Sequence, residues 1–309
     1  MLIVLTESDV ERLVTMPEAI EAMCEAFAQL AAGRAQNTPR SRVQADGVVL
    51  HSMAAAAEYL QLVGWKHYTT TRQQARFHVG LYDSRTGDWL ALIEANRLGQ
   101  LRTGAVTGLA VRLLANPQAD ALGLFGSGWQ AEGQLTAAAA VLSLRRAYVF
   151  SRNRERLVSF AKRMSRALGI DVIACERPQD AVVGQPVVIT ATNSRTPVFA
   201  GRDLSPGTVV CAVGSNRLQN AEFDPETARR AARIVCDSVV CCQQEAGDLV
   251  QAVAAGACTW SDCVDLSAVV TGQTVRQQAD EILLFKSVGM AIEDVAMGAI
   301  LLKKSLMQQ

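Results

Sequence analysis

The chain has 309 residues, half of them hydrophobic, and its 30 basic and 30 acidic side chains give a formal net charge of zero. This balance excludes the basic surface of a nucleic-acid-binding protein, and the length predicts one large or two ordinary domains. The sequence has no apolar stretch long enough to span a bilayer, no basic-then-apolar leader, and no CxxC pair among its eight cysteines. We therefore expect a cytoplasmic protein with reduced thiols, and three histidines without ligand spacing predict no metal site.

The first part of the chain combines amphipathic helices with a run of strands. Residues 8–11, Ser-Asp-Val-Glu, have the form of a capping box, and Pro17 is well placed to open a second helix. Between Val48 and Ala95, four apolar runs separated by turn residues predict strands. Residues 1–115 are therefore predicted to form an α+β module of their own.

Residues 121–131 have the pattern of a buried strand that enters a glycine turn and then a helix. Gly126 can take the tight turn, Gly128 has no Cβ to block a phosphate, and Ala131 lets helix and strand pack closely. Free N–H groups at the start of the helix would face the phosphate charge. A second strand at 147–150 completes a βαβ unit, so the pattern predicts a dinucleotide site, against the alternative of a glycine turn without a nucleotide.

The residues that follow this second strand indicate which nicotinamide cofactor is preferred. Ser151 occupies the position where an acidic side chain usually holds the adenosine ribose. Arg152, Asn153 and Arg154 follow, and a guanidinium suits the geometry of a 2′-phosphate. We therefore expect NADPH as the cofactor, with NADH or NAD as alternatives. The alternative without a role in binding is that these arginines only form a solvated turn.

The βα pattern continues beyond the second strand and predicts a doubly wound parallel sheet. Four further strands, at 171–175, 187–192, 208–213 and 233–237, bring the predicted total to six. Ligands of such sheets gather at the carboxyl ends of the strands. The loops that begin at Ala191 and Val213 are therefore expected near the nicotinamide.

Four basic residues outside this sheet have surroundings that suit a small carboxylate substrate: Arg40, Arg42, Lys66 and Arg102. An arginine can grip a carboxylate with two hydrogen bonds, whereas a desolvated lysine can act as a proton donor near neutral pH. Each of them, taken alone, is more often an ordinary surface charge.

Seven segments in chain order form a recognisable set: Pro39-Arg-Ser-Arg42, Met53, Gly64-Trp-Lys66, Arg102-Thr-Gly-Ala105, Gly126-Ser-Gly-Trp-Gln-Ala131, Ala212-Val-Gly-Ser-Asn216 and Phe285-Lys-Ser-Val-Gly-Met-Ala-Ile-Glu-Asp294. Together they resemble the ornithine cyclodeaminase and mu-crystallin family. The resemblance extends over nearly the whole chain, and its closing motif is specific.

The resemblance implies a homodimer with two kinds of domain in each subunit. Residues 1–115 would form the substrate-binding and dimerisation domain, with residues 288–309 packed back on it, and residues 116–287 would form an NAD(P)-binding Rossmann domain. Lys66 and Arg102 would act on the substrate. Further substrate contacts would come from Arg40 or Arg42, the sequence leaving both open, and from Met53 and Asn216. The cofactor would be held by Thr103, Gly126, Ser127, Gly128, Gln130, Ala131, Ser151, Arg152, Asn153, Thr192, Asn193, Val213, Gly214, Ser287 and Gly289.

One position separates the chemistries that the resemblance allows. True ornithine cyclodeaminases, and similarly the alanine dehydrogenase branch, have an aspartate where this chain has Asn216. An amide cannot act as a general base or balance a substrate ammonium group. The loop resembles that of the ketimine reductases instead, which implies reduction of a small cyclic imine carboxylate, of the pyrroline or piperideine type, to a cyclic amino acid.

Three alternatives stay beside this interpretation. An ornithine cyclodeaminase would convert ornithine to proline and ammonia with bound NAD, using Glu222 or Asp224 in place of the aspartate. A dehydrogenase of linear amino acids is the second alternative, and a non-catalytic, crystallin-like NADPH-binding protein is the third.

Overall fold

The computed structural model describes residues 2–308. It divides into two compact units, the first made of residues 2–102 with 289–308, and the second of residues 103–288. The second unit is continuous in sequence, whereas the first is assembled from two distant stretches of the chain. The predicted domain boundaries after residues 115 and 287, and the roles predicted for the two parts, stay predictions.

The first unit is built on a mixed sheet. Its strands are β1 (Ile3–Leu5), β2 (Ala35–Asn37), β3 (Ser41–Ala45), β4 (Val48–Ala57), β5 (Leu62–Thr70), β6 (Ala75–Asp83) and β7 (Trp89–Glu94). Within the described residues the order is β1-β7-β6-β5-β4-β2, and β3 also pairs with β4. The short β1 pairs with β7 in parallel. Strands β4 to β7 form an antiparallel meander, and they correspond to the four strands predicted between Val48 and Ala95.

Helices α1 (Glu7–Leu13) and α2 (Met16–Ala31) precede this meander. The predicted capping box at residues 8–11 is wrong, because α1 already begins after Thr6, whose backbone N–H and hydroxyl both donate to Asp9 at 2.9 and 2.7 Å. Thr6 and Asp9 have the same spacing as Ser8 and Glu11, so the earlier pair caps the helix. Pro17 lies in the first turn of α2, as predicted.

Helix α3 (Asn96–Leu114) carries the chain from the first unit into the second. The second unit contains the strands β8 (Ala121–Phe125), β9 (Arg146–Phe150), β10 (Asp171–Ala174), β11 (Val187–Thr190), β12 (Val209–Ala212), β13 (Ala231–Cys236), β14 (Cys263–Asp265) and β15 (Ile282–Lys286). Its further helices are α4 (Trp129–Val141), α5 (Arg154–Leu168), α6 (Pro225–Arg230), α7 (Val239–Glu245), α8 (Gly247–Ala254) and α9 (Leu266–Val270).

The sheet of the second unit is parallel, with the order β10-β9-β8-β11-β12-β15-β13-β14. The strands run outward in both directions from the junction of β8 and β11, which confirms the doubly wound fold. The predicted count of six strands is wrong, since this sheet has eight strands within the described residues. All five residues of β15 are buried, so that strand has no alternating pattern, and β14 has only three residues.

The last helix, α10 (Ala291–Leu306), belongs to the first unit and covers one face of its sheet. A Cβ built on Gly64 of β5 would lie 2.8 Å from a methyl carbon of Val295, so helix and sheet are in tight contact here. Gly298 in turn faces Leu81 and Ile93. Among residues 2–308, no helix is both long and apolar enough to cross a membrane.

Candidate active site

Two cations of the first unit meet two carboxylates at the start of α10. The Lys66 ammonium donates to Asp294 Oδ1 at 2.7 Å. Arg102 donates through Nη1 to Glu293 Oε2 at 2.7 Å, and its Nε lies 3.3 Å from the same Asp294 Oδ1. Both carboxylates are fully buried, so this ion-pair cluster is shielded from water. Charges held in such an environment act on a ligand far more strongly than charges in solvent.

The alternation of β5 and the geometry of α10 explain this arrangement. Lys66 points to the face that α10 covers, and its cross-strand neighbour on β4 is Met53. Glu293 and Asp294 lie in the first turn of α10, where the helix dipole favours negative charge. The helix end and the sheet face therefore present opposite charges to each other.

Burial changes the proton affinity of both cations. Burial lowers the pKa of Lys66 to about 8, and the neighbouring Arg102 and Arg40 lower it as well, while Asp294 works against them. Burial also lowers the pKa of Arg102, but Asp294 and Glu293 outweigh it and raise that pKa above its usual value. Lys66 can therefore exchange a proton near neutral pH, whereas Arg102 stays charged.

The structure separates the two arginines that the sequence left open. Arg40 is buried. It donates to Met53 Sδ at 3.2 Å and to the carbonyl oxygen of Gly289 at 3.2 Å. Arg42 lies on the exposed strand β3 and donates to His51 Nδ1 at 3.2 Å. Arg40 and Met53 thus belong to the cluster, and Arg42 does not.

Gly289, predicted to contact the cofactor, lies beside the arginines of the first unit. Its φ of +80° belongs to the left-handed region, and a Cβ there would come within 2.6 Å of Arg102 Nη1. Only a glycine lets the backbone approach the guanidinium this closely. The cluster contains three cations, Lys66, Arg40 and Arg102, and the two carboxylates of Glu293 and Asp294. With all five groups ionised, it has one positive charge in excess.

In the second unit, the glycine turn after β8 has the shape that a pyrophosphate requires. Gly126 has a φ of +118°, and a Cβ there would lie 2.6 Å from the carbonyl oxygen of Ala191. A Cβ on Gly128 would meet nothing within 4 Å, so the space beside it is open. Helix α4 begins directly after Gly128 without a side-chain cap, and the fully buried Ala131 lets it pack closely. Gln130 Oε1 is buried without a hydrogen-bond partner among the described residues. These features fit a dinucleotide phosphate.

The loop after β9 places small polar groups and two exposed arginines, Arg152 and Arg154, next to this turn. The hydroxyls of Ser127 and Ser151 lie 3.0 Å apart. Asn153 caps α5 by accepting from the backbone N–H of Arg156 at 2.9 Å, and Arg154 donates to the carbonyl oxygen of Cys175 at 3.2 Å. The predicted phosphate ligands Arg152, Asn153 and Arg154 are all exposed, and the side chains of Asn153 and Arg154 also have the structural partners just described.

The loops after β11 and β12 are joined by a single buried carboxylate. Glu222 Oε1 accepts from the backbone N–H and the hydroxyl of Thr192 at 2.7 and 2.8 Å, and Glu222 Oε2 accepts from the N–H of Gly214 at 2.6 Å. A Cβ on Gly214 would lie 2.1 Å from the Thr192 nitrogen, so this contact requires a glycine. Val213 is tied to β11 by a backbone hydrogen bond to Thr190 at 3.0 Å, while the side chain of Asn193 is exposed and Asn216 is half-buried.

The two acids that could replace the missing aspartate both have structural roles. Both oxygens of Glu222 accept loop N–H groups, and burial raises its pKa. Asp224 caps α6 by accepting from the N–H of Thr227 at 2.9 Å, and it also accepts from the N–H of Gly201 at 3.0 Å. Neither arrangement resembles that of a general base waiting for a substrate.

Residues 286–288 are held by two further buried acids. Lys286 donates to Asp248 at 3.1 Å and to the carbonyl oxygen of Ser215 at 3.2 Å. The hydroxyl of Ser287 and the N–H of Val288 both donate to Asp237 at 2.7 Å. The predicted cofactor contact Ser287 thus has its hydroxyl engaged with Asp237, while Thr103 is half-buried on α3.

Comparison with known proteins assigns the chain to a family. The sequence profile of the ornithine cyclodeaminase/mu-crystallin family matches residues 2–307. The chain belongs to this family. A Delta(1)-pyrroline-2-carboxylate reductase of Bacillus cereus is 29% identical over 99% of this chain and 97% of that protein. The ketimine reductase mu-crystallin of Mus musculus is 31% identical over 74% of this chain and 69% of its own length.

Solved structures of the family superimpose closely on this one. A probable ornithine cyclodeaminase from Bordetella pertussis Tohama I gives a TM-score of 0.95 at 32% identity, covering 100% of this chain and 98% of that one. The Thermococcus litoralis Delta(1)-pyrroline-2-carboxylate reductase, solved with NADH and L-proline, also gives 0.95 at 30% identity, covering 99% and 98%. An archaeal alanine dehydrogenase described as a dimer with bound NAD gives 0.93 at 27% identity, covering 99% and 97%.

Several acids in these networks were not predicted as site residues. Glu293 and Asp294 stood in the closing motif of the family, but no periodicity links them to cations on β5 and α3. Glu222 was considered only as a base, and the structural roles of Asp237 and Asp248 had no sequence signal. A pair of acids at the start of a helix that follows a buried strand is the one pattern that could have identified Glu293 and Asp294.

Proposed function

We propose that the protein is an NAD(P)H-dependent reductase that converts a small cyclic imine carboxylate, of the pyrroline-2-carboxylate or piperideine-2-carboxylate type, to a cyclic amino acid. The observation that carries this proposal is the buried cluster in which Lys66, with a pKa of about 8, lies among Arg40, Arg102, Asp294 and Glu293. One excess positive charge in a buried site suits one substrate carboxylate.

Different side chains of the cluster bind the substrate and protonate it. Arg102 and Arg40 keep their charge and orient the carboxylate of the substrate. Reduction of a C=N bond adds a hydride to carbon and a proton to nitrogen. Lys66 supplies that proton from Nζ, since its lowered pKa lets it give up a proton near neutral pH. The chemistry that a bound, reduced nicotinamide contributes is the hydride.

The cofactor is NADPH in this proposal. An acid that would hold the ribose hydroxyls of NADH is replaced by Ser151, and Arg152 beside it is exposed. The turn of Gly126 and Gly128 and the uncapped start of α4 bind the pyrophosphate. Arg152 would hold the 2′-phosphate, and it is the residue of this loop that would distinguish NADPH from NADH.

The first unit also provides a surface for a homodimer. The sheet face opposite to α10 exposes large apolar side chains, including Leu50 and Val63, which are each 38% exposed, and Trp89 at 42%. Such a contiguous apolar face is typical of a subunit interface. The dimeric archaeal alanine dehydrogenase of the same family supports this assignment.

The cysteines support a reducing compartment such as the cytoplasm. All eight are free thiols, and six of them are buried. The pKa of Cys211 is raised to about 12 by burial, which keeps that thiol protonated and unreactive.

An absorbance assay on the purified protein tests the activity. NADPH or NADH is supplied with five- and six-membered cyclic imine carboxylates, with pyruvate and ammonia, and in parallel ornithine is supplied with NAD. We expect rapid NADPH oxidation with a cyclic imine. Proline and ammonia from ornithine without net cofactor turnover would instead establish a cyclodeaminase, and inactivity with every substrate would favour a binding protein.

A further inference from the structure

We propose that Asp294 is a positioning residue that holds the proton donor Lys66 and the carboxylate anchor Arg102 in a fixed mutual arrangement and keeps Lys66 protonated for the reaction. This inference rests on the proposed reductase function. It assigns to the first turn of α10 a role that acts on the substrate only through these two cations.

The two ion pairs of Asp294 provide the geometric basis. One oxygen, Oδ1, lies 2.7 Å from Lys66 Nζ and 3.3 Å from Arg102 Nε. A single atom thus fixes the distance between a cation on β5 and a cation on α3. Glu293 contacts Arg102 through a different nitrogen, Nη1, so it restrains the arginine without contacting Lys66.

The charges around Lys66 show why the carboxylate is needed. Arg102 faces it from α3 and Arg40 from the segment before β3, and both disfavour the ammonium form. Asp294 on α10 opposes them, and the Phe77 ring of β6, whose centroid lies 5.2 Å from Nζ, adds a weaker attraction. Glu293 and Tyr68, the other titratable groups of the cluster, act on Arg102. Without Asp294, burial and two arginines would leave Lys66 largely neutral at physiological pH.

The second oxygen of Asp294 provides an independent observation. Asp294 Oδ2 is buried and has no hydrogen-bond partner within residues 2–308. A buried carboxylate oxygen without a donor is costly, so the fold retains it at an energetic penalty. The carboxylate is kept in spite of this penalty, as expected of a group retained for its effect on Lys66 and Arg102.

The decisive variant is Asp294→Asn, which keeps the shape and removes the charge. We expect the alkaline limb of the pH profile of kcat/KM to move to lower pH by about one unit or more, because Lys66 loses the charge that sustains its ammonium form. At pH 8 the loss of kcat/KM is expected to be about tenfold greater than at pH 6.

Glu293→Gln serves as the matched control. It removes the neighbouring carboxylate of the same helix turn, which contacts Arg102 but not Lys66. We expect a higher KM and an alkaline limb that stays where the unmodified protein has it. Equal displacement of the limb in both variants would refute a specific role of Asp294, and so would an unmoved limb in Asp294→Asn.

A direct readout of Lys66 separates this inference from the reductase proposal. The chain has five lysines, so the 13Cε resonances of labelled lysine can be assigned, with Lys66→Met identifying the signal of Lys66. We expect the pKa read from this signal to be lower in Asp294→Asn than in the unmodified protein, in the absence of any substrate. An unchanged value refutes the inference even if the reductase activity is found, and a lowered value supports it even if the imine substrates are not turned over.

The double variant Lys66→Met/Asp294→Asn covers the case in which Asp294→Asn does not fold. It removes both charges of the pair, and a neutral buried pair avoids the penalty of one unpaired charge. If Asp294 acts on turnover through Lys66 and on substrate binding through Arg102, the double variant has the kcat of Lys66→Met alone and differs from it only by a higher KM. A further tenfold loss of kcat would show that Asp294 acts independently.

Discussion

Lys66 combines complete burial with a charge, which is unusual because an ammonium group loses its hydration in the interior of a protein. Asp294 stabilises the buried ammonium form, whereas Arg102 and Arg40 destabilise it. The same contacts set the pH at which the side chain gives up its proton. At the residue scale, the proposed proton transfer therefore depends on whether Lys66 is present as the ammonium or as the neutral amine.

The pH dependence of the reduction follows from this pKa. A proton donor must be protonated, and Lys66 loses its proton as the pH rises through about 8. We expect kcat/KM for imine reduction to be level below this value and to fall about tenfold per pH unit above it. Steady-state rates between pH 6 and 10 check this, and a profile that stays level to pH 10 would remove Lys66 from the proton transfer.

The two arginines of the 39–42 segment should differ in their effect on substrate binding. Arg40 lies in the buried cluster, whereas Arg42 pairs with His51 on an exposed strand. We expect Arg40→Met to raise the KM for the imine by about tenfold or more, the cost of one charge-assisted hydrogen bond. Arg42→Met is the control and should change the KM less than about threefold. Equal effects would mean that the cluster does not hold the substrate.

Arg152 should determine the choice between the two cofactors. We expect Arg152→Ala to raise the apparent KM for NADPH by about tenfold, because the guanidinium loses its pairing with the 2′-phosphate, and to leave the KM for NADH unchanged. Arg154→Ala is the comparison, since Arg154 is engaged with the carbonyl oxygen of Cys175. Parallel changes in both KM values after Arg152→Ala would contradict the preference for NADPH.

At the scale of elements, the turns that end the central strands of the second unit are built on glycines with two different functions. Gly128 leaves space open beside the start of α4, whereas Gly214 allows the loop after β12 to contact the loop after β11. Glu222 then joins these loops through the N–H groups of Thr192 and Gly214. One glycine is thus suited to ligand binding and the other to the fold.

Alanine at these two glycines should separate the two functions. We expect Gly128→Ala to leave the Tm unchanged and to weaken NADPH binding by about tenfold, since the methyl group occupies the space of the phosphate. Gly214→Ala should instead lower the Tm by about 5 °C or more, because its Cβ would lie 2.1 Å from the Thr192 nitrogen. Calorimetry and fluorescence titration with NADPH measure both quantities, and a destabilised Gly128→Ala would contradict this distinction.

Sequence patterns predicted those elements whose residues are close together in the chain. The glycine turn, the strands around it and the Arg-rich loop at 152–154 are local, and the structure contains them. The buried β15 was missed because a strand that is covered on both faces has no alternation. Asp294 was missed for a different reason, since it pairs with a lysine 228 positions away and such a contact has no local signature.

At the scale of the whole molecule, the first unit offers one sheet face to α10 and leaves the opposite face with exposed apolar side chains. Val63 lies opposite Ala56 on β4 and Tyr82 on β6, so this face is continuous across neighbouring strands. Burying it in a dimer would remove these side chains from water at about 25 cal/mol per Å².

A charge on this face should dissociate the dimer. We expect Val63→Asp to give monomers in sedimentation velocity experiments at micromolar concentration, because a carboxylate would be buried without a partner. Val183→Asp is the control, since Val183 is an exposed apolar residue of the second unit, at 57%. Monomers in the unmodified protein, or dimers in Val63→Asp, would place the interface elsewhere.

The assembly of the first unit from two distant stretches of the chain has a consequence for biosynthesis. Residues 103–288 can fold as soon as they have left the ribosome, because they form a continuous unit. Lys66 and Arg102 are translated before the second unit, but the carboxylates of Glu293 and Asp294 that neutralise them are translated only after it. Until then, burial of these two cations would leave them without counterions, so we expect the nascent chain to keep them in solvent until synthesis reaches α10.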